Sequence, residues 1–140
     1  MKKILIAEDD FFIRDIYSKV FLLAGYDVHV AVDGVEALEK VQVEPYDMIL
    51  LDIMMPRMTG IDALKAIRAL TIPAKDTPIF IITNLGQQNI IEEAFKMGMD
   101  GYIIKSQVTP QQIVSEINTF FEGKTPTQEQ PPEGQPSSTN

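Results

Sequence analysis

The chain contains no cysteine, which removes disulfide frameworks, thiolate metal sites and thiol chemistry. It has no tryptophan and a single histidine, His29. One imidazole cannot build a histidine-rich metal centre. His29 also falls within a short expected strand, where a structural or exposed role is the ordinary one. Positive charge is scarce: 12 Lys and Arg stand against 20 Asp and Glu, for a net charge of −8. A net charge of that sign argues against nonspecific binding to nucleic acid or an anionic membrane, which needs a basic surface. No apolar run approaches the ~18 residues of a membrane span. The amino terminus, Met1-Lys2-Lys3-Ile4-Leu5-Ile6-Ala7, begins like a signal peptide but is interrupted by Glu8-Asp9-Asp10 before an apolar region of sufficient length. A cytoplasmic location is therefore expected. The phosphate-loop pattern G-x-x-x-x-G-K-[ST], the dinucleotide pattern G-x-G-x-x-G and the nucleophile elbow G-x-S-x-G are all missing.

What is present is an apolar core's worth of residues, 45% of the chain of 140, enough for one domain of ordinary size. The most informative stretch is Met48-Ile49-Leu50-Leu51-Asp52. Four apolar residues in a row read as a strand buried on both faces, as in a parallel sheet. A carboxylate is costly in such a core, so Asp52 belongs at the strand's C-terminal mouth, the edge where open α/β sheets bind ligands.

Similar strands are expected at Lys3–Ala7, Asp27–Ala31, Pro78–Thr83 and Gly101–Lys105. Helices alternate with them. Ile13, Ile16, Tyr17, Val20, Phe21 and Ala24 recur at helical spacing after Asp10, a natural N-cap, and before Gly25. Asp33 and Glu36 have capping-box spacing ahead of Val35, Leu38 and Val41. A third helix opens at Thr59-Gly60-Ile61-Asp62, and Pro73 and Pro78 bracket a loop. A fourth helix runs from about Gly86 to Met97. The fifth begins at Thr109-Pro110, with Thr as N-cap, Pro at the first helical position and Gln112 at the third. Five β-α units with short connections predict a five-stranded, doubly wound parallel sheet with helices on both faces, a flavodoxin-like α/β sandwich. Residues 1–122 form the expected domain. Residues 123–140, rich in Pro, Gln, Ser and Thr, read as a disordered tail or linker stub.

The strand ends bring together Glu8 and Asp9, Asp52, Thr83 and Lys105. Crowded carboxylates repel one another, and a bound divalent cation removes the conflict. Oxygen-only ligands suit Mg²⁺, with Mn²⁺ as the alternative. A lysine supplies a positive charge for a phosphoryl group, and a threonine hydroxyl can donate to one of its oxygens. The set suits a site where one carboxylate becomes a phosphoryl acceptor. Singly, each residue has a plainer reading as a cap, a turn or a solvent-facing side chain. Asp10 and Asp33 are read as caps.

The motifs Ile-Ala-Glu8-Asp9-Asp10, Leu-Leu-Asp52-Ile-Met-Met-Pro56-Arg-Met-Thr-Gly60, Ile-Ile-Thr83-Asn84 and Gly-Tyr102-Ile-Ile-Lys105, in this order, resemble the receiver domain of bacterial two-component response regulators, over about Lys2 to Glu122. The resemblance implies that Asp52 is the phosphoacceptor for a histidine kinase or histidine phosphotransfer protein. It implies that Asp9, Asp52, the backbone carbonyl of Met54 and, largely through water, Glu8 hold Mg²⁺. Lys105 pairs with the phosphoryl group, and Thr83 and Tyr102 act as switch residues. These couple the site to the face of the fourth helix, fifth strand and fifth helix, where an output partner or a second copy would dock.

Four positions depart from the usual pattern. Glu8 stands where Asp is commonest. Ser106 follows Lys105 where a cis-linked proline is usual, and a cis bond before Ser costs about 2.5–4 kcal/mol. Met54 and Leu85 are apolar where a polar side chain could orient an attacking water, so slow self-hydrolysis of the phosphoryl group is expected. Two other readings stand beside this one. A small phosphatase or phosphotransferase with an aspartate nucleophile resembles Asp-x-Asp after a first strand, whereas Asp52 follows the third and Asp52-Ile53-Met54 lacks the second acid. A receiver-like interaction domain that is never phosphorylated usually lacks part of the acidic pair or the lysine, and here all are present.

Overall fold

The computed structural model describes residues 1–84 and 88–123. In chain order the elements are β1 (Lys3–Ala7), α1 (Phe11–Leu23), β2 (Asp27–Ala31), α2 (Gly34–Val43), β3 (Met48–Asp52), α3 (Gly60–Arg68), β4 (Ile79–Thr83), α4 (Gln88–Lys96), β5 (Gly101–Ile104) and α5 (Pro110–Phe121). Short 3-10 turns cover Pro73–Asp76 and Lys105–Gln107. The strands form one parallel sheet in the order β2-β1-β3-β4-β5.

Strand alternation builds two cores. Leu5, Ile49, Leu51, Ile79, Ile81 and Tyr102 point to one face and meet Val41 of α2, Leu64 and Ile67 of α3, and Ile91 and Ala94 of α4. Ile4, Ile6, Met48, Leu50, Phe80, Ile82 and Ile103 point to the other and meet Tyr17 and Phe21 of α1 and Ile113 and Ile117 of α5. All five residues of β3 are buried, which is why that strand reads as a continuous apolar run. The chain reverses its direction of winding between β1 and β3. The C-terminal ends of those two strands therefore flank the crevice where such sheets bind ligands.

Local chemistry sets the helix starts. Asp10, Asp33, Thr59 and Thr109 each accept a hydrogen bond from the backbone N–H three residues on. Thr109 and Gln112 complete a reciprocal capping box. At α2 the expected box is shifted: the Glu36 carboxylate accepts from Val32 N–H rather than from Asp33 N–H.

Other expectations change as well. In α1 the buried residues are Tyr17 and Phe21, whereas Ile16 is 47% exposed and Ala24 is also exposed. The sheet covers only a narrow stripe of the helix, and Ile16 and Ala24 fall beside it. The segment between Pro73 and Pro78 is wound into a 3-10 turn with Pro73 at its first position. β5 stops at Ile104, so Lys105 opens the next turn. The Lys105–Ser106 bond is trans, there being no cis peptide bond among the described residues. The expected start of α4 at Gly86, the Leu85 position and the tail from Lys124 lie outside the described residues. His29 sits in the edge strand β2, with Nδ1 3.2 Å from the Tyr46 hydroxyl and Nε2 3.4 Å from Asp27.

Candidate functional site

The rim of the sheet is built from strand ends held in register. Ala7 lies beside Leu51, Asp52 beside Ile82, and Thr83 beside Ile104. One step beyond Ala7 comes Glu8, next to Asp52 across the sheet. Glu8, Asp52 and Thr83 are buried, at 2, 6 and 1% exposure, whereas Asp9 is exposed. Carboxylate oxygens of Glu8, Asp9 and Asp52 all lie within 4.8 Å of one another. The Lys105 ammonium reaches in from beyond β5. It donates to Glu8 Oε1 at 2.6 Å and lies 3.3 Å from Asp52 Oδ2.

These charges compete. Burial pushes the Asp52 carboxyl up, Lys105 opposes it, and the Glu8 and Asp9 charges add to the burial, for a value of about 6. Burial alone would lower Lys105, but the hydrogen bond to Glu8 and the charges of Asp52 and Glu8 outweigh it, and its pKa rises. Lysine is therefore firmly charged, and one ammonium serves two buried acids. Oxygen donors alone, two buried and one open to water, fit a hard divalent cation that keeps part of its hydration. Beneath the acids, Tyr17 lines the narrow space shared with Ile6, Leu50 and Ile82, and burial raises its pKa.

The chain matches the profile of the response regulator receiver domain over residues 4–118. The chain belongs to that family. The Thermotoga maritima chemotaxis protein CheY is 36% identical over 118 residues, with 84% of this chain and 95% of that protein covered. A Vibrio cholerae CheY chemotaxis protein superposes with a TM-score of 0.78 at 34% identity, covering 84% of this chain and 97% of that one. A CheX–CheY–BeF3–Mg²⁺ complex from Borrelia burgdorferi includes a chain matched at TM-score 0.78 and 25% identity, covering 86% of this chain and 89% of that one. The chain spans about half the length of several transcriptional regulators that it also matches.

Within this receiver domain Glu8, Asp9, Asp52, Thr83 and Lys105 come to the same rim, as their positions at strand ends require. Asp33 does not join them. It caps α2 through Oδ1 and turns Oδ2 toward Arg57. Met54 lies in the loop after β3, its side chain exposed. Tyr102 is buried in β5, its ring edge-on to Phe95 of α4 at 6.1 Å. Two further residues support the site. Arg14, one turn into α1, donates to the backbone oxygens of Glu8 at 2.8 Å and Asp9 at 3.3 Å, and so fixes the acidic turn. Arg57 reaches back to the β2–α2 turn. An arginine at helical spacing after an acidic pair was the available signal for Arg14. Nothing local marks Arg57.

Proposed function

We propose that Asp52 is the phosphoryl acceptor of this receiver domain and that its phosphorylation switches the α4-β5-α5 face. The observation that carries this is the Glu8–Asp9–Asp52 cluster, with Lys105 bridging two of its members. An Asp52 carboxylate oxygen attacks the phosphorus of a phosphohistidine on a histidine kinase or phosphotransfer protein. A P–O bond forms as the P–N bond breaks, and the electron pair stays on the imidazole nitrogen, which takes a proton from water. The product on Asp52 is an acyl phosphate. Asp52 must be ionised to attack, and a folded value near 6 leaves it so at neutral pH.

Glu8, Asp9, Asp52 and the Met54 backbone carbonyl are the proposed holders of Mg²⁺ or Mn²⁺, which when bound neutralises charge on the acids and the phosphoryl oxygens. Lys105 has two acids to attend to before transfer and can turn to the incoming phosphoryl oxygens afterwards. Thr83 closes the far side of the rim, and the neighbouring strand carries Tyr102 toward α4. These two residues are the proposed relay, by which the phosphorylated state biases a two-state equilibrium. The face so biased would receive an output partner or a second copy. The domain acts as a signalling switch rather than a conventional enzyme, with at most slow loss of its own phosphoryl group. It works in the cytoplasm without contacting nucleic acid itself.

Incubation with acetyl phosphate and Mg²⁺, read by intact mass, tests the reading. The wild type gains one phosphoryl group. Asp52→Ala gains none, and chelation of the metal abolishes the gain. An unmodified wild type, or an equal gain on Asp52→Ala, overturns it.

A further inference from the structure

Arg57 has an unusual backbone. Its φ is +65°, the only positive value at a non-glycine residue among those described. L-residues with ordinary side chains rarely adopt that conformation, and glycine is the residue that local preference would place there. A residue held against its local preference needs something in the surroundings that holds it, and such conflicts cluster at functional sites.

The surroundings supply the reason. Arg57 Nε donates to Asp33 Oδ2 at 2.7 Å, and Nη2 donates to Oδ1 at 3.3 Å. The side chain of Asp33 is 5% exposed and that of Arg57 60%, so the buried partner is the acid. A cap alone needs one oxygen, commonly near solvent, and Ser or Asn would serve. Here the second oxygen is committed to Arg57, whose hydrogen bond is the largest cause of the lowered Asp33 pKa. The anchor is itself held by further polar contacts. Asp33 accepts from Glu36 N–H at 2.8 Å, the Glu36 carboxylate accepts from Val32 N–H at 2.8 Å, and Lys40 pairs with Glu36 at 3.2 Å.

A second contact pins the same place. Gly34 N–H donates to Met58 O at 3.1 Å, and a Cβ on Gly34 would lie 2.3 Å from that oxygen. At the other end of the loop, Gly60 N–H donates to Ile53 O at 3.0 Å. Between the pinned neck at Ile53 and the pinned tip at Arg57 and Met58 lies Met54.

We infer that the Asp33–Arg57 ion pair is a clamp that positions the β3–α3 loop for cation binding, making Arg57 and Asp33 positioning residues. The inference rests on the proposed reading of the Met54 carbonyl as a metal ligand. The clamp touches neither the acids nor the phosphoryl group. It limits where the loop backbone can go, so that a carbonyl from the loop and the three acids can act together.

The test uses Arg57→Gly, which accepts the positive φ, and Asp33→Asn, which keeps a capping oxygen. Mg²⁺ affinity is measured by calorimetric titration, loop order by amide exchange at residues 54–58, and global stability by urea midpoint. Both variants should bind Mg²⁺ more weakly, on the order of tenfold, as is typical when a supporting shell is lost. The double variant should be no worse than either single one, and amide exchange should quicken only in the loop. Arg57→Lys, a point charge without the two-pronged geometry, should recover part of the affinity. If the wild type binds Mg²⁺ and gains phosphoryl mass but Arg57→Gly binds Mg²⁺ equally well, the clamp is overturned and the proposed function stands. A lowered urea midpoint with unchanged affinity also overturns it, leaving a purely structural pair. A wild type that neither binds Mg²⁺ nor accepts a phosphoryl group removes both.

Discussion

Replacing Asp52 by Asn should stabilise the protein, and the gain should depend on pH. Asp52 titrates near 6 when folded against an ordinary 3.8, chiefly because it is buried. A carboxyl whose folded pKa lies above its unfolded value holds its proton more tightly when folded. Its stabilising contribution is therefore complete below the unfolded value and is lost as pH rises through the folded one. The ionised acid should cost the native state about 3 kcal/mol at pH 7.5 and about 1 kcal/mol at pH 4.5. Asn keeps the shape of the side chain and removes the charge, while Lys105 keeps Glu8 as partner at 2.6 Å.

Urea denaturation of wild type and Asp52→Asn at both pH values, with divalent ions chelated, measures the difference directly. Asp52→Asn should be the more stable protein at pH 7.5, and most of that advantage should disappear at pH 4.5. Saturating Mg²⁺ should raise the wild type more than the variant, because a cation offsets the charge that Asn lacks. Equal stability at pH 7.5, or a gain independent of pH, would refute the electrostatic picture of the site.

Lys105→Met should leave Glu8 and Asp52 buried without a counter-charge and destabilise the fold by about 3–5 kcal/mol in chelator, with partial recovery in Mg²⁺. Urea midpoints in the two media check this. Gly60→Ala should lose at least about 2 kcal/mol, because a Cβ there would lie 2.2 Å from the Asp52 backbone oxygen. Thermal melts and phosphoryl uptake should both suffer. The phosphorylated wild type should outlast seconds, and Met54→Asn, by placing a polar group on an exposed side chain near Asp52, should shorten its life by about tenfold or more. Decay of phosphoryl mass after removal of acetyl phosphate reads both.

The fold was legible because parallel strands carry their burial in the sequence. Met48 to Leu51 are apolar without alternation since both faces of β3 meet a core. The rim was legible for a related reason: a charged residue ending such a run has only the sheet edge to occupy. What the sequence hid are contacts whose two halves lie far apart along the chain. Asp33 read as a cap and is one, but its second oxygen is claimed by a side chain 24 positions later. In α1, helical spacing marks Ile16 and Ala24 along with the buried Tyr17 and Phe21, because periodicity reports a helix's apolar side without the width of the surface that covers it. The short turn at Pro73–Asp76 is hard to see in sequence because proline marks where a helix can begin as readily as where one cannot continue.

The far edge of the sheet has a practical meaning. There the Tyr26 hydroxyl donates to Asn118 of α5 at 2.5 Å, and the Lys2 ammonium sits 4.6 Å from the centre of the Phe121 ring. The first strand thus starts where the last helix stops, one strand length away from Asp52. A tether, a fluorophore or a surface attachment placed at Lys2 or Glu122 would leave the acidic rim unobstructed. A short linker from Glu122 to Lys2 could also close the folded domain on itself, so that it is reopened at a different loop and the order of its elements permuted while the site stays whole.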